Sequence, residues 1–122
     1  MNRYSLAPLA ALLIAASTTA AFAHAELKTS MPEKNATLKT APADVMIEFS
    51  EELNPTLSKI VVEDAKGQHV DKGDSHVDAG DPKHMMVDLN TLAAGTYKVT
   101  WTSVAADDGH KLSGSFKFTV AP

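Results

Sequence analysis

The chain has 122 residues, 15 of them acidic and 11 basic, a net charge of −4, and no cysteine. That length suits one domain with one core rather than two. The charge balance disfavours a nucleic-acid partner, which needs clustered Lys and Arg, and without cysteine the fold has neither disulfides nor thiolate ligands.

Arg3, the apolar run at residues 9–16 (LAALLIAA) and the small-x-small sequence Ala21-Phe22-Ala23 are the three parts of a secretory signal peptide cut after Ala23. The apolar run is far shorter than the roughly 20 residues a membrane span requires, so cleavage is favoured over an uncleaved anchor. Residues 24–122 then form one domain of 99 residues. Since Arg3 is the one charged residue removed, 10 basic and 15 acidic side chains remain, a net charge of −5. No later stretch is apolar enough to span, so the processed protein is expected to be soluble, with no membrane insertion.

From His24 onward the apolar residues recur with period two, in short runs rich in β-branched and aromatic side chains and separated by Pro, Gly, Asp and Asn. Residues 24–29 read as a short first strand, and residues 30–35, with Pro32, as a turn. Residues 44–50 (DVMIEFS) place Val45, Ile47 and Phe49 on one face and Met46, Glu48 and Ser50 on the other. Residues 51–56 read as a bend or single helical turn, and residues 57–63 (LSKIVVE) as the next strand. Residues 64–83, with Asp71, Asp74, Asp78 and Asp81, read as loops holding short strands around His69 and His76. Residues 84–89 and 96–104 are further strands, the second with Tyr97, Val99, Trp101 and Ser103 on one face. Residues 114–120 close the chain with Phe116, Phe118 and Val120 together. About seven short strands in a domain of this size predict an all-β, two-sheet sandwich with Greek-key connections.

Cleavage after Ala23 gives His24 a free α-amino group beside its imidazole, a pair of nitrogens that chelates a metal. Far along the chain comes Asp107-Asp108-Gly109-His110. An Asp-x-His spacing aims a carboxylate and an imidazole at one point, and Gly109 tolerates the backbone angles of a tight approach. Alone it is a common solvated turn; paired with a histidine at a processed amino terminus it becomes a candidate metal site. The His24 amine and Nδ1, a His110 imidazole nitrogen and an Asp108 oxygen make a set of three nitrogens and one oxygen. Such a set favours Cu(II), whereas a structural Zn(II) site prefers closed tetrahedral Cys and His ligation. Amine and imidazole have reference pKa values of about 7.7–8.0 and 6.5, so protons compete with the metal.

The signal segment, His24, Ser30-x-Pro32, Phe49-Ser50-Glu51, Gly95-Thr96-Tyr97 with Trp101 beyond it, Asp108-Gly109-His110 and Gly114-Ser115-Phe116-x-Phe118 together resemble the CopC family of periplasmic copper-resistance proteins. The resemblance covers nearly all of the chain after residue 23. It implies a Greek-key β-sandwich or barrel of immunoglobulin-like type, a Cu(II) site built from His24, Asp108 and His110, and a role in holding or carrying periplasmic copper, often beside an inner-membrane partner of the CopD type. A nearly filled ligand set on a domain too small to add a separate substrate cleft favours a carrier without enzymatic turnover, and a monomer is expected. The family usually has one residue fewer between the strand Trp and Asp-x-His. Asp107 and Asp108 therefore stand as alternative carboxylate ligands, with the spacing favouring Asp108. Some members carry a methionine-rich Cu(I) loop; residues 64–83 contain no Met, so one ion is expected and a second, Cu(I) site is not.

Two other functions fit parts of the same pattern: a histidine-brace copper redox enzyme, and an interaction module in which Asp108 to His110 is only a turn. The remaining candidates have plain structural readings. Met85 and Met86 are adjacent, so they point to opposite faces of a strand, one into the core and one out. Met46 has no methionine partner in sequence. His69, His76 and His84 read as exposed loop histidines, Glu48, Glu51 and Glu52 as a solvated face, and Trp101 and Tyr97 as core, with Trp101 able to back the copper loop.

Overall fold

The alternation at residues 44–50 is carried out as written: in the strand Asp44–Phe49, Val45, Ile47 and Phe49 are buried while Asp44 and Met46 are exposed. The computed structural model describes residues 24–122; the signal segment and its cleavage point lie outside the described residues. Among the described residues there are eight strands and no helix: β1 (Leu27–Met31), β2 (Thr37–Leu38), β3 (Asp44–Phe49), β4 (Lys59–Glu63), β5 (His76–Val77), β6 (His84–Asp88), β7 (Gly95–Val104) and β8 (Lys111–Val120). They form two four-stranded sheets, ordered β1-β3-β6-β5 and β2-β8-β7-β4. The fold is the expected all-β sandwich, with eight strands where about seven were expected.

The extra strand is β2, which pairs in parallel with β8 through Thr37 opposite Thr119 and Leu38 opposite Val120. Two residues give no alternation to detect. What places them is backbone: Asn35, in the left-handed conformation at φ 64°, donates its N–H to the Lys117 carbonyl at 2.7 Å, and Thr119 N–H donates to the Ala36 carbonyl at 2.8 Å. The first strand starts later than predicted. Residues 24–26 precede it, and β1 carries on through Ser30 and Met31, whose neighbour Pro32 is buried.

A bulge in β1 sets the register of that sheet. Leu27 pairs with Phe49 but Thr29 pairs with Glu48, so two residues of β1 oppose one step of β3. Because faces alternate residue by residue, the bulge lets Leu27 pack on the core while Thr29 and Met31 share the outer face with Glu48 and Met46.

Between the sheets lie Val45, Ile47 and Phe49 of β3, Met85 and Val87 of β6, Ile60 and Val62 of β4, Tyr97 and Val99 of β7, and Phe116, Phe118 and Val120 of β8. Each such side chain contributes about 1.5–3 kcal/mol by leaving water, so this layer sets the stability scale of the domain. Tyr97 stacks on Phe118 with centroids 5.5 Å apart, and its hydroxyl donates to the Ala93 carbonyl at 2.6 Å, which satisfies the polar end of a buried ring.

Trp101 sits opposite Gly114 in the β7–β8 ladder and meets Phe49 of the facing sheet edge-on, with centroids 5.4 Å apart. A Cβ at Gly114 would lie 2.6 Å from Trp101 Cζ2 and 3.0 Å from Cε2. The ring is rigid and already braced by Phe49, so Gly114→Ala is expected to destabilise the domain by about 1–3 kcal/mol. Urea unfolding followed by Trp101 fluorescence checks this; a lower midpoint at unchanged slope is the expected result.

Candidate metal centre

Three elements converge at one edge of the sandwich: residues 24–26 ahead of β1, the start of the link after β3, and the 105–110 loop joining β7 to β8. The strand alternation ends at Phe49, and Ser50 continues the β1 pairing by donating its N–H to the Glu26 carbonyl at 2.8 Å. Its side chain does more. Ser50 Oγ accepts the Glu26 N–H at 3.0 Å and donates to the His24 carbonyl at 2.9 Å, a serine clamp on the main chain around His24. From the other sheet, the fully buried Ser103 of β7 donates its hydroxyl to the Ala25 carbonyl at 2.6 Å. Ala25 is itself fully buried, so the residue beside His24 is held by both sheets.

The 105–110 loop is fixed as firmly. Ala105 bridges Leu53, Ala106 N–H donates to the Glu52 carbonyl at 2.9 Å, and Asn54 N–H to the Val104 carbonyl at 2.7 Å. The loop closes on itself through Gly109 N–H to the Ala105 carbonyl at 3.0 Å and Ala105 N–H to the His110 carbonyl at 2.9 Å. Gly109 stands at φ 71°, a left-handed angle that an L side chain seldom adopts. Asp108 Oδ1 accepts the His110 N–H at 3.0 Å, the local side-chain turn that Asp favours. Together these turn His110 back toward the sandwich.

The result is a contact between the two histidines: the His24 and His110 rings lie 4.9 Å apart between centroids, edge to face at 72°. His24 Nδ1 is shielded from solvent, while the His110 side chain keeps 42% exposure. Asp108 Oδ2 stands 3.2 Å from His110 Nδ1, so both carboxylate oxygens engage the same residue. Donation from the His110 main chain above all, and also from its ring, holds the Asp108 carboxyl below the usual carboxylate value.

Two of the three expected ligands are thus in contact, and Asp108 is turned onto the second. Among the described residues no three His, Cys, Asp or Glu side chains stand close enough to hold an ion by themselves. The donor types nevertheless fit copper: two imidazoles in contact and a carboxylate at the edge of one. The two candidate carboxylates part company here. Asp107 lines a shallow depression with Glu51, Glu52, Lys83 and Ala105, whereas Asp108 is the one against His110.

The other histidines have local partners elsewhere. His69 Nε2 lies 3.6 Å from a Glu63 oxygen, His76 Nδ1 2.8 Å from the Asp74 carbonyl, and His84 Nδ1 2.7 Å from Asp81 Oδ2. Ser50 and Ser103 were not singled out as site residues from sequence. The signal for Ser103 was present, a serine in an otherwise apolar alternation with Tyr97, Val99 and Trp101. A hydroxyl at such a position must have a partner.

The fold and this edge define a small β-sandwich in which a histidine ahead of the first strand meets a histidine after a late hairpin loop. The model of the CopC domain matches residues 27–121, and the chain belongs to that family. It is 36% identical over 100 residues to the copper transport protein CutJ of Bacillus subtilis (strain 168), a match covering 81% of this chain and 18% of CutJ. The chain therefore spans less than a fifth of that relative. Solved structures align over nearly their whole length. CopC from Methylosinus trichosporium OB3b superposes with a TM-score of 0.72 at 29% identity, covering 81% of this chain and 95% of that one. PcoC, a methionine-rich copper resistance protein from Escherichia coli, superposes at 0.69 with 34% identity, covering 80% and 99%.

Proposed function

We propose that this is an exported copper-binding protein of copper resistance, cut after Ala23 and working in the periplasm, that holds or carries one Cu(II) through His24, Asp108 and His110. The observation that carries this reading is the His24–His110 ring contact, made by residues at opposite ends of the domain and held by the serine clamps and the Asp108 turn. Processing adds the amine that turns His24 into a chelate. Asp108 supplies a carboxylate at the His110 edge and keeps that ring oriented, which makes it a better ligand. Copper is the cargo, with no catalytic turnover on it, and an inner-membrane protein of the CopD type is the proposed recipient or donor. The domain acts as a monomer.

The test is titration of the protein beginning at His24 with Cu(II), read by electron paramagnetic resonance. One ion with a nitrogen-rich spectrum is expected, and His110→Ala should weaken it by about 10- to 100-fold. A spectrum and affinity unchanged by His110→Ala would sink the reading.

The pH dependence follows from the same groups. Asp108, depressed in the folded protein, keeps its charge and its stabilising bonds above the ordinary carboxylate value and loses them only as pH falls through its lower folded value. Copper should be lost as pH falls, because protons compete with the metal for the amine and imidazole nitrogens. Asp108→Asn, which removes one donor and weakens the metal against the same protons, should move that release to higher pH. Competition titrations at stepped pH measure it.

A further inference from the structure

The outer face of the β1-β3-β6-β5 sheet carries an alignment that no single stretch of sequence displays. Met31 of β1 pairs with Met46 of β3, and Met46 pairs with Met86 of β6, so three thioether side chains stand in one row across three strands. Neighbouring strands lie about 4.7–4.9 Å apart, and the Cβ atoms of directly opposed residues about 4.5–5.5 Å. The β1 bulge creates the alignment, because without it Met31 would face the core. Met85, next in sequence to Met86, is fully buried on the other face.

Core packing does not account for the row. Met31 is 69% exposed and Met46 38%, on a face whose other members include Thr29, Glu48 and Asp88. Met31 and Met46 line one shallow depression together with His84, which lies diagonally across from Met46 because its direct partner is Glu48. Asp81 Oδ2 sits 2.7 Å from His84 Nδ1, the carboxylate–imidazole arrangement that fixes the ring and offers Nε2 to a metal.

We propose that Met31, Met46 and His84, with Met86 adjoining, form a second metal site that takes a soft monovalent cation of the Cu(I) class. Thioethers select such ions, and one imidazole beside two or three thioethers is a donor set with no appeal for Mg(II) or Ca(II). The site is separate from the His24–His110 pair and shares no residue with it. The expectation of no Cu(I) site rested on the 64–83 loop, which indeed has no methionine; the donors lie instead on three strands that come together only in the folded sheet.

The probe is Ag(I), a soft cation that does not change oxidation state, added to the protein beginning at His24 whose Cu(II) site is already filled. One further equivalent should bind, with the ε-methyl NMR signals of Met31 and Met46 shifting and that of buried Met85 unmoved. Met46→Leu, which keeps volume and apolarity, should lower Ag(I) affinity at least about tenfold, and Met31→Leu, at a more exposed position, should do likewise. His110→Ala should leave Ag(I) uptake intact, which separates this site from the proposed Cu(II) site. Ag(I) uptake that survives both Met→Leu changes, or methyl signals of Met31 and Met46 that do not move, would overturn the proposal.

Discussion

A protein that begins at Ala23 is expected to bind Cu(II) about 100-fold or more weakly at neutral pH than one that begins at His24, the upper end of what removal of even an outer partner costs a metal site. The two chains differ by one small residue. With His24 first, its nitrogen is an amine that gives up a proton near neutral pH. With Ala23 before it, that nitrogen is an amide whose proton is held far more tightly, and the chelate of amine and Nδ1 is gone. Stability should be unaffected, since Ala25 and its bond to Ser103 are common to both. Paired measurements of urea midpoint and Cu(II) affinity by competition make the comparison. Equal affinities would remove the amino terminus from the site and leave His110 with Asp108 as the binding unit.

The sequence carried the sandwich well because its core is written locally. Val45-x-Ile47-x-Phe49 and Phe116-x-Phe118-x-Val120 alternate without interruption, and the structure buries all six. Apart from the family resemblance, it carried the pairing of His24 with His110 through two separate signals, a cleavage pattern and an Asp-x-His turn. Nothing in either one says that they meet. That contact depends on how residues 24–26 run between Ser50 and Ser103, and hydrogen bonds between distant segments leave no periodic trace in a sequence. Strand β2 was invisible for the related reason that two parallel residues have no period. The methionine row needed register, and register across β1 hinges on a one-residue bulge. Where the chemistry lies on one strand it could be read; where it depends on which residue stands opposite which, it could not.

Ser103→Ala is the substitution expected to couple fold and site most directly. Ser103 is fully buried on β7, and its hydroxyl gives the Ala25 carbonyl a 2.6 Å hydrogen bond. Alanine fits the space but leaves a buried carbonyl without that donor, a loss of about 1–3 kcal/mol. The bond also ties the residue after His24 to the sheet opposite β1. Ser50 then holds the segment alone, through its clamp on Glu26 N–H and the His24 carbonyl. His24 keeps its chemistry but samples positions away from His110, and a site formed only part of the time binds in proportion to that fraction. A drop of about tenfold in Cu(II) affinity corresponds to about 1.4 kcal/mol, within the energy of the missing bond. Ser50→Ala should show the opposite balance, with a smaller change in urea midpoint because Ser50 is only half-buried and keeps its main-chain bond to Glu26, yet a comparable loss of affinity. Thermal unfolding with and without Cu(II) reads both quantities, since a ligand that binds only the folded state raises the midpoint according to its affinity. If Ser103→Ala lowers the midpoint but the copper-induced rise equals that of the unaltered protein, Ser103 serves the core alone and the strand pairing of Glu26 with Ser50 is sufficient to position His24.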